Sequence, residues 1–240
     1  MKIALIGYGN MGKEIEDVIK TDGKHEVVSI SSSTKGWDEA GIKSADVVID
    51  FSSPDVIMEN IQKVLGLGKN MVIGTSGWYE KIGKVDGLVK ETGTGLIYGQ
   101  NFAIGTNIFF QLVALASKLA FKYGQYDVYG TEVHHSGKKD SPSGTAFKTA
   151  EVILNNFPSK KKLETGRLDR KIEAEELHFA SVRGGRNPGM HEVTFDSEAD
   201  CIKLSVQNHS RRGYAQGAIM AAEYIIGKKG LFAFDNMFEI

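Results

Sequence analysis

Apolar residues follow two alternating rhythms over the first hundred positions. Short apolar runs at residues 3–6, 27–31, 47–51, 71–73 and 96–98 have the length and composition of buried strands. Between them Met11, Ile15, Val18 and Ile19, and then Val56, Ile57, Ile61, Val64 and Leu65, recur at helical spacing. Continuous apolar strands separated by amphipathic helices are the pattern of a parallel sheet covered on both faces. The expected fold is a Rossmann-type, doubly wound α/β unit.

After Asn101 the pattern changes. An apolar helix over 106–121 leads to a strand at 126–135 and a helix at 143–155, followed by alternating strand-like runs at 177–183, 191–196 and 202–206. These predict a smaller α+β unit with a mixed, open sheet. A last helix over 214–226 is rich in Ala, Ile and Met and is apolar enough to pack back on the first unit. The expected division is one domain over 1–103 and 212–240 and a second over 104–211.

Composition narrows the class without naming it. Hydrophobic residues make up 41% of the chain, enough to build a sizeable core and to argue against disorder. The formal net charge is −1 and no Lys/Arg run is dense, so neither nucleic acid nor an anionic membrane is an expected partner. Lys160, Lys161 and Lys162 read as a solvated loop. Residues 2–6 are too short for a signal or a span and run straight into a glycine turn, which makes the cytoplasm the expected location. The lone Cys201 permits no internal disulfide or thiolate cluster and reads as structural.

Gly7, Tyr8, Gly9, Asn10, Met11 and Gly12 form a G-x-G-x-x-G turn between a strand and a helix, the context in which this motif binds a dinucleotide. The first glycine permits the turn, the second lets a pyrophosphate approach and the third lets helix and strand pack closely. Gly74, Thr75, Ser76 and Gly77 follow the fourth strand, and Gly99, Gln100, Asn101 and Phe102 follow the fifth. In open α/β sheets, ligands bind outside such carboxyl ends.

A second group of residues suggests acid–base chemistry. Glu132, Val133, His134 and His135 close a strand; Lys138, Lys139 and Asp140 follow; Ser143, Gly144 and Thr145 open a helix. Histidine is the commonest proton donor near neutral pH, and lysine supplies a proton or a fixed charge. A helix start with two hydroxyls suits a carboxylate or phosphate. Adjacent His134 and His135 must face opposite sides of a strand, so at most one easily shares a face with a given site. A metal site is not expected, because no cysteine or paired H-x-H spacing accompanies these histidines.

Taken together, the G-x-G-x-M-G turn, the DFS, GTSGW and NFAIGTN segments, the HHxxKKDxPSGTA run, and the later Arg183, His191 and Gln216-Gly-Ala218 segments resemble the dihydrodipicolinate reductase family over essentially the whole chain. The resemblance implies reduction of 4-hydroxy-tetrahydrodipicolinate, a cyclic dicarboxylate, by NADPH or NADH in diaminopimelate and lysine biosynthesis. It places His134 and Lys138 at proton-donating positions, with His135, Ser143, Gly144 and Thr145 at substrate contacts. Gly7 to Gly12, 74–76 and 99–102 fall in cofactor-contacting segments. A homotetramer built through the substrate-binding domain is also implied. Two positions depart from the family pattern: Ser76 stands where threonine is frequent, and Met190 where glutamate is often found. Two other readings share the glycine turn: an aspartate or homoserine dehydrogenase, and a nucleotide-sensing protein without turnover.

Cofactor preference rests on a missing residue. NAD-selective folds place an Asp or Glu about 20 residues beyond the turn to accept from the adenosine ribose. Here the second strand runs into Ser33, Thr34 and Lys35, with no carboxylate before Asp38. Hydroxyl donors and a cation suit a 2′-phosphate, so NADPH is expected to be preferred over NADH.

Overall fold

The computed structural model describes residues 1–238. The chain forms two compact units, Met1–Ile104 with the chain from Arg211 onward, and Gly105–Ser210. Each is described by itself.

The first unit alternates β1 (Lys2–Ile6), α1 (Asn10–Asp22), β2 (Glu26–Ser31), α2 (Glu39–Ser44), β3 (Val47–Asp50), α3 (Ile57–Gly66), β4 (Asn70–Ile73), α4 (Ile82–Thr92) and β5 (Gly95–Tyr98). A sixth strand, β11 (Gly230–Ala233), comes from the C-terminal part of the chain, giving the order β11-β5-β4-β3-β1-β2 with every pairing parallel. The apolar runs are continuous because each strand feeds both faces. Ile3, Leu5, Val47, Ile49, Val72 and Ile97 pack with α1 and the last helix, whereas Ala4, Ile6, Val48, Met71, Ile73 and Leu96 pack with α2, α3 and α4.

In the second unit α5 (Ile104–Tyr123) leads to β6 (Asp127–His134), α6 (Gly144–Asn156), β7 (Lys162–Glu164), β8 (Glu176–Arg183), β9 (Met190–Asp196) and β10 (Cys201–Gln207). After it α7 (Arg212–Ile225) and β11 (Gly230–Ala233) rejoin the first unit. The second sheet is mixed, in the order β10-β9-β6-β8-β7, with β6 parallel to β8 and antiparallel to β9. One face packs Val128, Phe179, Val193 and Phe195 against Phe109, Phe110 and Val113 of α5 and Ala146, Ala150 and Ile153 of α6. By length and composition α5 could cross a membrane, but these aromatic residues of it lie in a core.

Two sequence expectations are corrected. Lys160 is buried, not solvated: its ammonium donates to the carbonyls of Ala174 and Glu176 and pairs with Asp127 at 2.6 Å, so the positive charge is fully partnered. Cys201 is exposed at the end of the edge strand β10 and supports no core.

Candidate active site

The first unit sets out the glycine turn at the carboxyl end of β1. Gly7 has φ +88°, and a Cβ there would lie 2.2 Å from the Phe51 carbonyl oxygen; one on Gly12 would lie 2.3 Å from the Gly7 oxygen. Strand, turn and helix can approach this closely only with glycine at both positions. Gly9 is the N-cap of α1 and has no side chain to cap it, so first-turn amides remain for an anion.

Beyond β2, residues 32–36 close a tight turn through paired Ser32–Gly36 backbone bonds. Ser32 Oγ also meets Thr34 Oγ1 at 3.1 Å. Ser33, Thr34 and Lys35 are exposed, and the Lys35 ammonium sits 4.7 Å from the centroid of the Tyr8 ring, whose hydroxyl donates to Glu16. Asp38, the first carboxylate after the strand, caps α2 by accepting from Gly41 N, and it also accepts from Ser29 Oγ. At the end of β5 the Phe102 side chain is buried against Phe51 and Phe234, which leaves its backbone as the part a ligand could meet.

The second unit gathers its polar groups through the two-residue period of β6. Glu132 and His134 lie on one face and are both buried; His135, past the strand end, is exposed, with its amide bonded to the Asn187 carbonyl at 2.8 Å. Glu132 is the hub. Its Oε1 accepts from Ser143 N at 3.0 Å, Ser181 Oγ at 2.8 Å and Arg183 Nη2 at 2.7 Å. Its Oε2 accepts from Ser143 Oγ and lies 3.3 Å from His191 Nε2 and from His134 Nδ1. Burial works to raise its pKa, but donors from His191, Ser143, Arg183 and Ser181 together outweigh burial and hold it well below the usual range.

His134 packs edge-on to His191, ring centres 5.2 Å apart. Its Nδ1 approach to Glu132 lacks hydrogen-bond geometry, and burial, opposed by Glu132, lowers its pKa to about 4. The imidazole is therefore neutral at pH 7. Gly189, at φ +149°, lies beside it: a Cβ there would come within 3.0 Å of His134 Nε2. Lys138 is held by Asp140, its ammonium 2.8 and 2.9 Å from the two carboxylate oxygens.

At the start of α6, Ser143 accepts from Ala146 N and is the N-cap, while its amide and hydroxyl both go to Glu132. Both of its donors are therefore occupied, and the helix start presents Gly144, which is exposed, and Thr145, which is half-buried. Glu132, His134 and His191 have ligand-type atoms within 4.8 Å of one another. Both carboxylate oxygens already accept hydrogen bonds and a guanidinium lies against one, so this donor set is a hydrogen-bonded network rather than a cation cage.

In the sequence Glu132, Arg183 and His191 fall within motifs that carry no role for them. The available signal was the period of two, which puts Glu132 on the face of His134. Pairing to β8 and β9, which brings up Ser181, Arg183 and His191, lies 49 or more residues along the chain.

A doubly wound parallel sheet with this glycine turn, in one chain with a histidine–lysine loop ending on a helix start, defines a pyridine-nucleotide oxidoreductase. Family models described as dihydrodipicolinate reductase, N-terminus and C-terminus, match residues 1–102 and 105–238. The chain is 35% identical over 237 residues to a 4-hydroxy-tetrahydrodipicolinate reductase of Christiangramia forsetii, covering 99% of this chain and 97% of the relative. It is 33% identical to one from Methanococcus maripaludis, covering 99% and 88%. The chain belongs to the dihydrodipicolinate reductase family. A dipicolinate-bound dihydrodipicolinate reductase from a Paenisporosarcina species shares the fold, with a TM-score of 0.83 at 23% identity over 99% of both chains.

Proposed function

We propose that this chain reduces 4-hydroxy-tetrahydrodipicolinate to tetrahydrodipicolinate with a reduced pyridine nucleotide, in diaminopimelate and lysine biosynthesis. The observation that carries this reading is the full-length kinship to reductases of that name, in a chain whose buried His134 stands beside the Lys138 loop and the start of α6.

The substrate ring loses its 4-hydroxyl as water, and the ring then gains a hydride and a proton. The nucleotide, when bound, supplies the hydride from nicotinamide C4. The protein's part is to orient the ring and provide the proton. In our reading Gly144, Thr145 and His135 hold a substrate carboxylate, with Ser143 fixing the geometry of the helix start. Burial holds the His134 pKa down at about 4, so its imidazole is neutral before substrate binds and acts together with the Lys138 side chain, held by Asp140, in the proton step. The nucleotide would be held by Gly7, Tyr8, Gly9, Asn10, Met11 and Gly12, by Gly74, Thr75 and Ser76, and by the backbone of Gly99, Gln100, Asn101 and Phe102. Ser33, Thr34 and Lys35 would take the 2′-phosphate, making NADPH the preferred cofactor over NADH.

We also read the protein as a cytoplasmic homotetramer. Tyr129 and Val182 on the second sheet, with Ile108, Leu112, Leu115 and Leu119 along α5, are large apolar residues left exposed. Such surface on a soluble chain marks an interface. Purified protein should oxidise NADPH with freshly generated substrate and leave aspartate semialdehyde and homoserine untouched. Turnover of a semialdehyde with none of the cyclic dicarboxylate would overturn the reading.

A further inference from the structure

Asp50, the last residue of β3, is completely buried, and no cation is paired with it among the described residues. Four hydrogen bonds from three segments fill its carboxylate instead. Oδ1 accepts from Ser52 N at 2.9 Å, Ser52 Oγ at 2.7 Å and Thr75 Oγ1 at 2.8 Å; Oδ2 accepts from Asn60 Nδ2 at 2.9 Å. Burial pushes the carboxyl pKa up, and these donors act against it. An unpaired buried carboxylate is costly, so its place calls for an account in what the donors hold.

What they hold is the pair of turns beyond β3 and β4. Thr75 is gripped twice, its hydroxyl by Asp50 and its carbonyl by the indole N–H of buried Trp78 at 2.9 Å. Gly74 N donates to the Asp50 carbonyl at 2.9 Å, and a Cβ on Gly74 would strike the Phe51 ring at 2.0 Å. With its hydroxyl bonded to Asp50 and its carbonyl to Trp78, Thr75 has its backbone N–H to offer a ligand. β3 and β4 lie on the side of β1 away from β2. A dinucleotide lying across the glycine turn with its adenosine ribose at the end of β2 extends its nicotinamide half over these two turns.

We propose that Asp50 is a positioning residue for the nucleotide, fixing the backbone of residues 74–77 against its nicotinamide half through the Thr75 hydroxyl. The proposal rests on the nucleotide-site reading above and adds to it a residue that touches no ligand.

The test compares two ligands by calorimetry, NADPH and the adenosine-half fragment adenosine 2′,5′-bisphosphate, on wild type, Asp50→Asn, Thr75→Val, Thr75→Ser and the double variant Asp50→Asn with Thr75→Val. Loss of a hydrogen bond to a charged group weakens binding by about tenfold. NADPH affinity should fall by that order in Thr75→Val, fall less in Asp50→Asn, whose neutral amide oxygen still accepts from the Thr75 hydroxyl, and recover in Thr75→Ser, with fragment affinity unchanged throughout. The double variant should be no worse than Thr75→Val alone, because both substitutions act on one link. Equal weakening of both ligands would mean a merely structural role, and unchanged NADPH affinity in Thr75→Val would mean that the link does not matter; either overturns the proposal. Should Asp50→Asn not fold, the Thr75 pair decides alone. Wild type that binds neither ligand would instead overturn the nucleotide reading and the proposal with it.

Discussion

Glu132 holds Ser143 twice, accepting from its amide at 3.0 Å and from its hydroxyl, so the residue that caps α6 is tied to the strand that carries His134. His134 and the start of α6 thus share one buried support. Arg183 completes it, since its guanidinium also donates to the carbonyl of Asp140, in the loop that bears Lys138.

Removing that support should cost both stability and rate. Glu132→Ala leaves Arg183 without its counter-charge and Ser143 without an acceptor, and breaking a buried pair costs about 3–5 kcal/mol. Denaturant unfolding should show a loss of that order, and a loss within ordinary surface-mutation error would refute the hub role.

The proton step has a kinetic signature. His134→Ala and Lys138→Ala should each lower kcat by about 10²–10⁴-fold with nucleotide affinity unchanged. Near-native turnover in both variants would remove these residues from the mechanism.

The buried imidazole also shapes the acid limit of the protein. His134 titrates near 4 when folded, against 6.5 for an ordinary histidine. Between those values the unfolded chain binds a proton that the folded chain refuses, so stability falls as pH drops from 6.5 toward 4. His134→Gln should flatten that fall in thermal midpoints measured from pH 7 to 4.5. An unchanged slope would show that another group sets it.

Cofactor preference can be read at Lys35. Its ammonium sits 4.7 Å from the centre of the Tyr8 ring, in the glycine turn, and Asp38, the first carboxylate after β2, is already engaged as the cap of α2. Lys35→Ala should raise the KM for NADPH while barely changing that for NADH. A ratio that does not move would mean that the 2′-phosphate is not recognised there.

Much of this was legible from local signals. The continuous apolar strands gave the parallel sheet because Ile3 and Ala4, or Val47 and Val48, feed opposite cores. The strands missed, β7 with three residues and β11 with four, are too short for a period to register, and the helices missed are the six-residue α2 and α4, which has eleven residues but fully buries only Val85 and Val89. At the site, His134 and Lys138 announce themselves by residue type within one loop. Ser143 is legible as a polar helix start, but sequence does not show the Glu132 carboxylate that engages its amide and hydroxyl. Asp50 was hidden for the same reason: three of its four donors are a turn or a helix start nearby, and the decisive one, Thr75, lies in the turn beyond the next strand.

Isotope transfer reads directly whether a hydride passes from a nicotinamide to the ring of a cyclic dicarboxylate. Freshly generated 4-hydroxy-tetrahydrodipicolinate should be reduced with NADPH deuterated at C4, on each face of the ring in separate reactions, and the product analysed by mass spectrometry. One of the two labelled cofactors should deliver its deuterium to tetrahydrodipicolinate and the other should retain it. Oxidation of NADPH with no label reaching the product from either face would contradict it.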